Sequence, residues 1–342
     1  MTALTNPKPL ASPAGQTVPQ KSRSLWQEAM RRLVRNRAAM TGGIIIILLV
    51  LTAIFADVIA PYSFEKQSLL NANAVPTWLT RLFPSLKPYA VINEQYPIGA
   101  DKLGRDLFSR IIYGTRVSLA VAFIGPIISL IIGVLYGSIS GFFGGRIDNL
   151  MMRVVDVLYA FPGLLFIILL MAFFRTTLAH PDEGTFAYYL GQLDSKFGGL
   201  LFIMIGIGLT GWETQARLTR GQVLSVREKE YVEAARCIGA TNWRIMFRHI
   251  LPNILGPIII LETLSIPGYI YTEAFLSFIG LGVNPPTPSW GSMISDGSRA
   301  LRAYPNQALF PALALAVTMF AFNFLGDGLR DALEPRLRGT QE

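Results

Sequence analysis

Apolar residues gather into six long runs, roughly 39–60, 117–142, 150–173, 199–217, 252–272 and 308–328, separated by stretches rich in charge, proline and glycine. About 20 apolar residues in helical form cross the hydrocarbon core of a bilayer, so each run is long enough for one span. The pattern predicts an all-α, polytopic membrane protein with six transmembrane helices. An even number of crossings returns both termini to the same side.

The flanking segments set the orientation. Residues 23–38 read RSLWQEAMRRLVRNRA, with Ser24 and Gln27 as a capping box and Leu25, Trp26, Ala29, Met30 and Leu33 on one face. Arg31, Arg32, Arg35 and Arg37 follow, which predicts a basic helix lying on the cytoplasmic membrane surface; a short soluble helix is the alternative. Residues 1–22 are polar and rich in proline, serine and threonine, and are expected to form a disordered tail with no cleaved signal. With both termini inside, 19 of the 30 Lys and Arg fall on the cytoplasmic side. The positive-inside rule then makes 61–116 an external loop, 218–251 a cytoplasmic loop and 329–342 a cytoplasmic tail, around a core of five spans over 117–328.

Within the second span Gly125, Ser129, Gly133, Gly137 and Gly141 place a small residue at every fourth position. This draws a groove down one helix face into which another helix packs closely, from the same chain or from a partner subunit.

The cytoplasmic loop has the most informative local grammar. Glu230 to Pro252 reads EYVEAARCIGATNWRIMFRHILP. Ser225 and Glu228 form a capping box expected to start a helix. Tyr231, Ala234, Ala235 and Ile238 then fall at i, i+3, i+4 and i+7, a small apolar stripe over about three turns. Gly239 is placed to end that helix in the left-handed conformation, Thr241 to cap a second one over Trp243–Leu251, and Pro252 to open the fifth span. The expected product is a helix, a sharp corner and another helix.

Composition narrows the chemistry. The chain has 342 residues, a mean hydropathy of +0.43, 51% hydrophobic and 15% charged residues, and a net charge of +8. The placement of the basic residues ties that charge to membrane orientation rather than to nucleic acid. The single cysteine, Cys237, excludes an intrachain disulfide, and with only His180 and His249 beside it no metal site is expected. No GxxxxGK[ST] phosphate loop occurs, so any nucleotide-driven work must be done by another polypeptide, and no catalytic residue is assigned. Glu262 lies mid-span in the fifth helix and Glu273 near its outer end. On an unbroken helix they share a face roughly 16 Å apart, too far for a cooperating acid–base pair. Glu262 is expected either to face a pathway or to meet an interhelical partner, and Glu273 to organise the outer loop; two paired structural carboxylates are the alternative. Asp148, Asp156, Asn323 and Asp327, near the inner ends of spans, are expected to be solvated or to cap helices.

Two outer stretches are dense in polar or helix-breaking residues. YPIGADKLGRDLFSRIIYGTRVSL, residues 96–119, crowds Asp101, Arg105, Asp106, Arg110 and Arg116 at the outer surface. EAFLSFIGLGVNPPTPSWGSMISDG, residues 273–297, is expected to form a wall of loops and short turns. Both serve either as contact surfaces for a soluble partner or substrate, or as ties between helices.

Glu233-Ala234-Ala235, Gly239 and Leu251-Pro252, at this spacing, resemble the EAA loop of membrane subunits of bacterial ABC importers, which docks into a groove on a cytoplasmic ATPase. His249 departs from the general pattern, although His-Ile-Leu-Pro-Asn is ordinary in the peptide-importer branch. The GxDxxGRD, GTRVSL, EAFLSFIGLG, PPTPSWG and FNFLGDGLRDALEPRL runs, with RSLWQEAMRRLVRNRAA, are similar to the C-type permease subunit of oligopeptide and dipeptide importers over about residues 22–338. Residues near 69–94 look like an insertion. The resemblance implies the type I ABC importer permease fold in a bacterial cytoplasmic membrane. It also implies a homologous B-type permease, two ATPase subunits carrying ATP and Mg²⁺, an external peptide-binding protein and a peptide substrate. The coupling residues would be Tyr231, Glu233, Ala234, Ala235, Gly239, Leu251 and Pro252. Related branches carry nickel, glutathione or opines. An intramembrane enzyme would need a reactive constellation in the lipid, and a passive channel or scaffold would work without any ATPase.

Overall fold

The computed structural model describes residues 25–178 and 181–333. The expectations for the N-terminal tail, the Ser24 cap, His180 and the end of the C-terminal tail lie outside the described residues.

Helix α1 (Leu25–Arg35) runs almost directly into α2 (Arg37–Ile54). The two are separate because the Asn36 side chain accepts from the backbone N–H of Ala38 and Ala39, at 3.1 and 3.3 Å, and restarts the helix there. Ala29 of α1 is buried and Leu33 lies near Gly328, so α1 leans on the end of the last helix, while Met30 and Val34 stay exposed. The short α3 (Ala56–Ile59) ends the first crossing.

The segment between α3 and the next long helix is folded. Strands β1 (Ala74–Val75) and β2 (Val91–Ile92) pair in parallel across α4 (Thr77–Leu82), and Val75, Leu79 and Leu86 form a small buried core of their own. Helix α5 (Leu107–Phe143) then runs for 37 residues. At 1.5 Å per residue that is about 55 Å, well beyond the ~30 Å hydrocarbon core, so the helix is longer than one crossing needs. Helix starts at Leu107, ten residues before the expected beginning of the apolar span at 117, because Asp106 accepts from the Ser109 N–H at 2.8 Å and caps it there.

The third crossing is bent. Helices α6 (Gly145–Tyr159) and α7 (Gly163–Thr177) meet at 80° across the Ala160–Pro162 corner, so 150–173 is not one straight span. Pro162 explains the corner, since it disfavours helix in the residue before it. Helix α8 (Phe186–Lys196) turns 94° from the next run, which comprises α9 (Leu201–Gly208) and α10 (Trp212–Val226). The loop helix α11 (Glu230–Cys237) and the short α12 (Asn242–Ile245) follow, then a π-helical turn (Met246–Ile250) leading into α13 (Leu251–Phe278). Helix α14 (Trp290–Ser298) precedes α15 (Asn306–Leu333), which carries helix past the expected boundary at 328. Four described helices are long and apolar enough to cross a membrane alone, and the count rises to six if each bent pair makes one crossing.

Two packing seams hold the core. The small-residue face of α5 lies directly against α10, and Gly42 of α2 against Ala321 of α15. Val121 of α5, Met171 of α7, Ile203 of α9 and Leu276 of α13 belong to one buried cluster, and Val134, Val223, Ile245, Ile254 and Ile258 to another.

Candidate functional site

The elbow at 227–250 is built in three parts. Its first helix begins at Glu230, after Lys229, and not at the expected capping box. Ser225 is still inside α10, where its hydroxyl donates to the Gln222 carbonyl at 2.8 Å. Because helix continues past it to Val226, Ser225 bonds back to the preceding turn and caps nothing. The end of α11 follows expectation in detail: Gly239 sits at φ +79°, its N–H donates to the Arg236 carbonyl (2.9 Å) and the Ala240 N–H to the Ala235 carbonyl (3.1 Å). These paired bonds satisfy carbonyls that a helix end leaves free. Thr241 then accepts from the Arg244 N–H at 3.4 Å and caps the second helix. Pro252 opens nothing new, because helix continues from Asn242 through the π-helical turn to Phe278. The outgoing arm of the elbow and the fifth crossing are one rod.

The expected stripe divides between two faces. Val232 and Ala235 point inward and pack with Ile245, Ile250, Ile254 and Val223. Tyr231, Ala234 and Ile238 point outward, with Ile238 85% exposed, alongside exposed Glu233 and Gly239. One face of α11 is thus keyed to α10 and α13 while the opposite face is bare. Trp243 and Phe247, whose rings stack at 5.7 Å, add an exposed aromatic pair beyond the corner. Sequence reasoning passed over this pair; its signal was the i, i+4 spacing of two aromatics on a short polar helix.

Behind the elbow, α10 is locked to its neighbours by polar contacts between helices. Arg220 makes a bidentate pair with Asp148, Nε–Oδ1 2.5 Å and Nη2–Oδ2 2.6 Å, and Ser140 donates to the same carboxylate. Asp148, expected to be solvated or to cap a helix, is instead buried and paired in the first turn of α6. Asp156 meets Arg217 at 2.9 Å near the surface. Gln215 donates to the Ile258 carbonyl at 2.9 Å, joining α10 to α13.

The five small residues of α5 are all buried, and their neighbour belongs to this chain. A β-carbon on Gly133 would lie 2.6 Å from the Gln215 Cβ; on Gly137 it would collide with the Ala216 carbonyl; on Gly141 it would lie 2.9 Å from the Val223 Cβ. Gly125 and Ser129 instead border Tyr269 of α13, whose hydroxyl donates to Glu262 at 3.0 Å. Glu262 also lines a crevice of about 170 Å³ between α5 and α13, among Phe123, Pro126, Ile127, Thr263 and Ile266. Glu273 is separate from it. It is fully buried and accepts from the Ser277 hydroxyl at 2.7 Å, and Ser277 lies against Gly282 of the following loop.

Before the start of α5, Asp101 accepts from the backbone N–H of Leu103 and Arg105 and from the Arg105 side chain at 2.6 Å, closing a compact turn. Arg116 donates to the Ala53 carbonyl and to Asp57, and that guanidinium holds the Asp57 carboxyl below the usual carboxylate range. Burial pushes the Asp106 carboxyl up despite its bonds from Ser109. Asn306 and Gln307, at the start of α15, donate to the carbonyls of Ile98 and Ala100. The stretch expected as loops after the fifth helix holds α14, capped by Ser289 and Ser292, with buried Trp290 donating to the Ile111 carbonyl. These residues tie helices together.

A bundle of apolar helices with a bare, braced elbow on one side defines a polytopic membrane permease. The chain belongs to the family described as binding-protein-dependent transport system inner membrane component, which matches residues 133–339; the N-terminal transmembrane domain of oligopeptide transport permease C matches residues 24–76. It is 43% identical to an oligopeptide transport system permease protein of Bacillus subtilis, over 97% of each chain. A dipeptide transport system permease protein of the same organism is 40% identical over 94% of this chain and 89% of its own. A glutathione transport system permease protein of Pectobacterium atrosepticum is 35% identical over 92% and 93%. Among solved structures, the inward-facing methionine ABC transporter MetNI, in its native crystal form, aligns with a TM-score of 0.50 at 17% identity, over 67% of this chain and 98% of that one, a likeness of fold.

Proposed function

We propose that this chain is the permease subunit of an ATP-driven importer of oligopeptides or dipeptides. It forms half of the translocation pathway and receives work through the elbow at 227–250. The observation that carries this reading is the two-sided α11. Val232 and Ala235 weld it to the helices that cross the membrane, while Tyr231, Glu233, Ala234, Ile238 and Gly239 stay open to a partner. Because the elbow's second arm continues unbroken into α13, a push on Gly239 becomes tilt of a membrane rod. Inverting a two-state equilibrium from 1:99 to 99:1 takes about 5.5 kcal/mol, which a stiff connection transmits and a loose loop would dissipate.

In this reading the elbow and both termini are cytoplasmic, ATP and Mg²⁺ are bound by two ATPase subunits, and a homologous permease completes the pathway. An external binding protein delivers the peptide, and the chain itself hydrolyses nothing. The glutathione permease relative supports a second substrate reading, a small peptide-like solute. Gentle purification of the tagged chain tests both. Two ATPases and a second permease should accompany it, and the ligand of the cognate receptor should be a peptide. Uptake by this chain alone, without ATPase partners, overturns the proposal.

A further inference from the structure

Helix α8 has three faces. Leu190 packs on the core and Asp194 accepts the Leu201 N–H at 3.0 Å, so this side is fixed to the start of α9. Gln192, Ser195 and Lys196 line an open hollow of about 330 Å³ with Leu178, Pro181 and Tyr188, which makes a polar side. On the third side Phe186, Tyr189, Leu193 and Phe197 are exposed, 77%, 62%, 43% and 46% respectively. At about 100° per residue these four fall within a sector of about 80°, so they form one stripe and not scattered exposure. Nothing within the described chain covers it.

We propose that this stripe is a lipid-binding face, and that α8 lies in the headgroup boundary of the leaflet on the side opposite the elbow. Two observations select lipid over a protein partner. The helix stands at 94° to Leu201–Val226, so when that run crosses the bilayer α8 lies in its plane. The helix also lies against the end of α7, a run of apolar residues in which Leu169 and Phe173 are exposed, since Leu178, just past α7, borders Gly191 of α8. Aromatic side chains with a polar edge and a flanking lysine suit the boundary between acyl chains and headgroups, where Lys196 reaches up to phosphate. Through the Asp194 cap, the membrane surface becomes the footing for the outer end of α9.

The test uses the assembled complex in phosphatidylethanolamine–phosphatidylglycerol vesicles, in a Cys237→Ser background. Spin labels are introduced singly through Tyr189→Cys, Leu193→Cys and Phe197→Cys on the stripe, and Gln192→Cys and Ser195→Cys on the polar side. The stripe positions should be about fivefold or more richer in oxygen collisions relative to a water-soluble nickel chelate than the polar positions. In an independent measurement, the indole introduced by Tyr189→Trp should be quenched by brominated acyl chains beyond the parent protein's quenching. Equal collision ratios on the two sides, or exclusion of both reagents from the stripe as a covering protein would produce, overturns the proposal, as does an unquenched indole.

Discussion

Gly133, Gly137 and Gly141 lack side chains, and the backbone of α10 occupies the space a side chain would need. Gly125 stands in the same sequence register but meets only ordinary contact, 3.5 Å from the Ile207 side chain at the nearest. The distinction predicts opposite outcomes for the same substitution. Gly137→Ala should cost about 1–3 kcal/mol, because backbone must move to admit the methyl group. Gly125→Ala should be neutral or slightly stabilising, since alanine is the better helix former by about 1 kcal/mol. Thermal unfolding of the two purified variants checks this, and equal loss in both would mean that α5 and α10 are not in direct contact. The four-residue spacing was visible in the sequence; which glycines are closely pressed was not, because that depends on where α10 crosses.

At the scale of the element, the elbow illustrates which local signals prevail. The Gly239 end and the Thr241 cap followed from sequence because each needs only its own few residues. The expected start at Ser225 did not form, because α10 extends through Val226 while Val223 packs in the buried inner cluster, and local capping yields to tertiary packing. A β-carbon at Gly239 meets nothing within 4 Å, so substitutions there act through the backbone alone. A β-branched residue in the left-handed region costs about 1–2 kcal/mol, whereas asparagine tolerates it. Gly239→Val should therefore insert normally but lose receptor-stimulated ATP hydrolysis, and Gly239→Asn should retain most of it, as measured in reconstituted complexes. Equal activity of both variants would remove the corner from the coupling path.

Across the whole molecule, the single cysteine offers a test of sidedness. Cys237 is exposed at the end of α11, on the elbow itself. A membrane-impermeant maleimide should label it in inside-out vesicles and leave it untouched in intact cells, and bound ATPases should slow the labelling. Labelling from outside would place the elbow on the wrong face for any cytoplasmic engine. The segments around the start of α5 are built differently. Asn306 and Gln307 hold the 98–100 segment, and Trp290 holds α5, so the helices are fastened there while the elbow is exposed.

Hydropathy and turn chemistry by themselves determined the class, the number of apolar runs and the glycine corner, because each is a property of composition or of a few neighbouring residues. The partners of buried polar groups were decided only in three dimensions. Asp148 finds Arg220 across 72 residues of chain, and Glu262 finds Tyr269 rather than Glu273. The bend at Pro162, the right-angle turn from α8 into α9 and the division of the α11 stripe into a packed and a bare face belong there too. Apolar pattern shows that a residue leaves water, but not whether lipid, a neighbouring helix or another subunit receives it; that depends on how the helices cross.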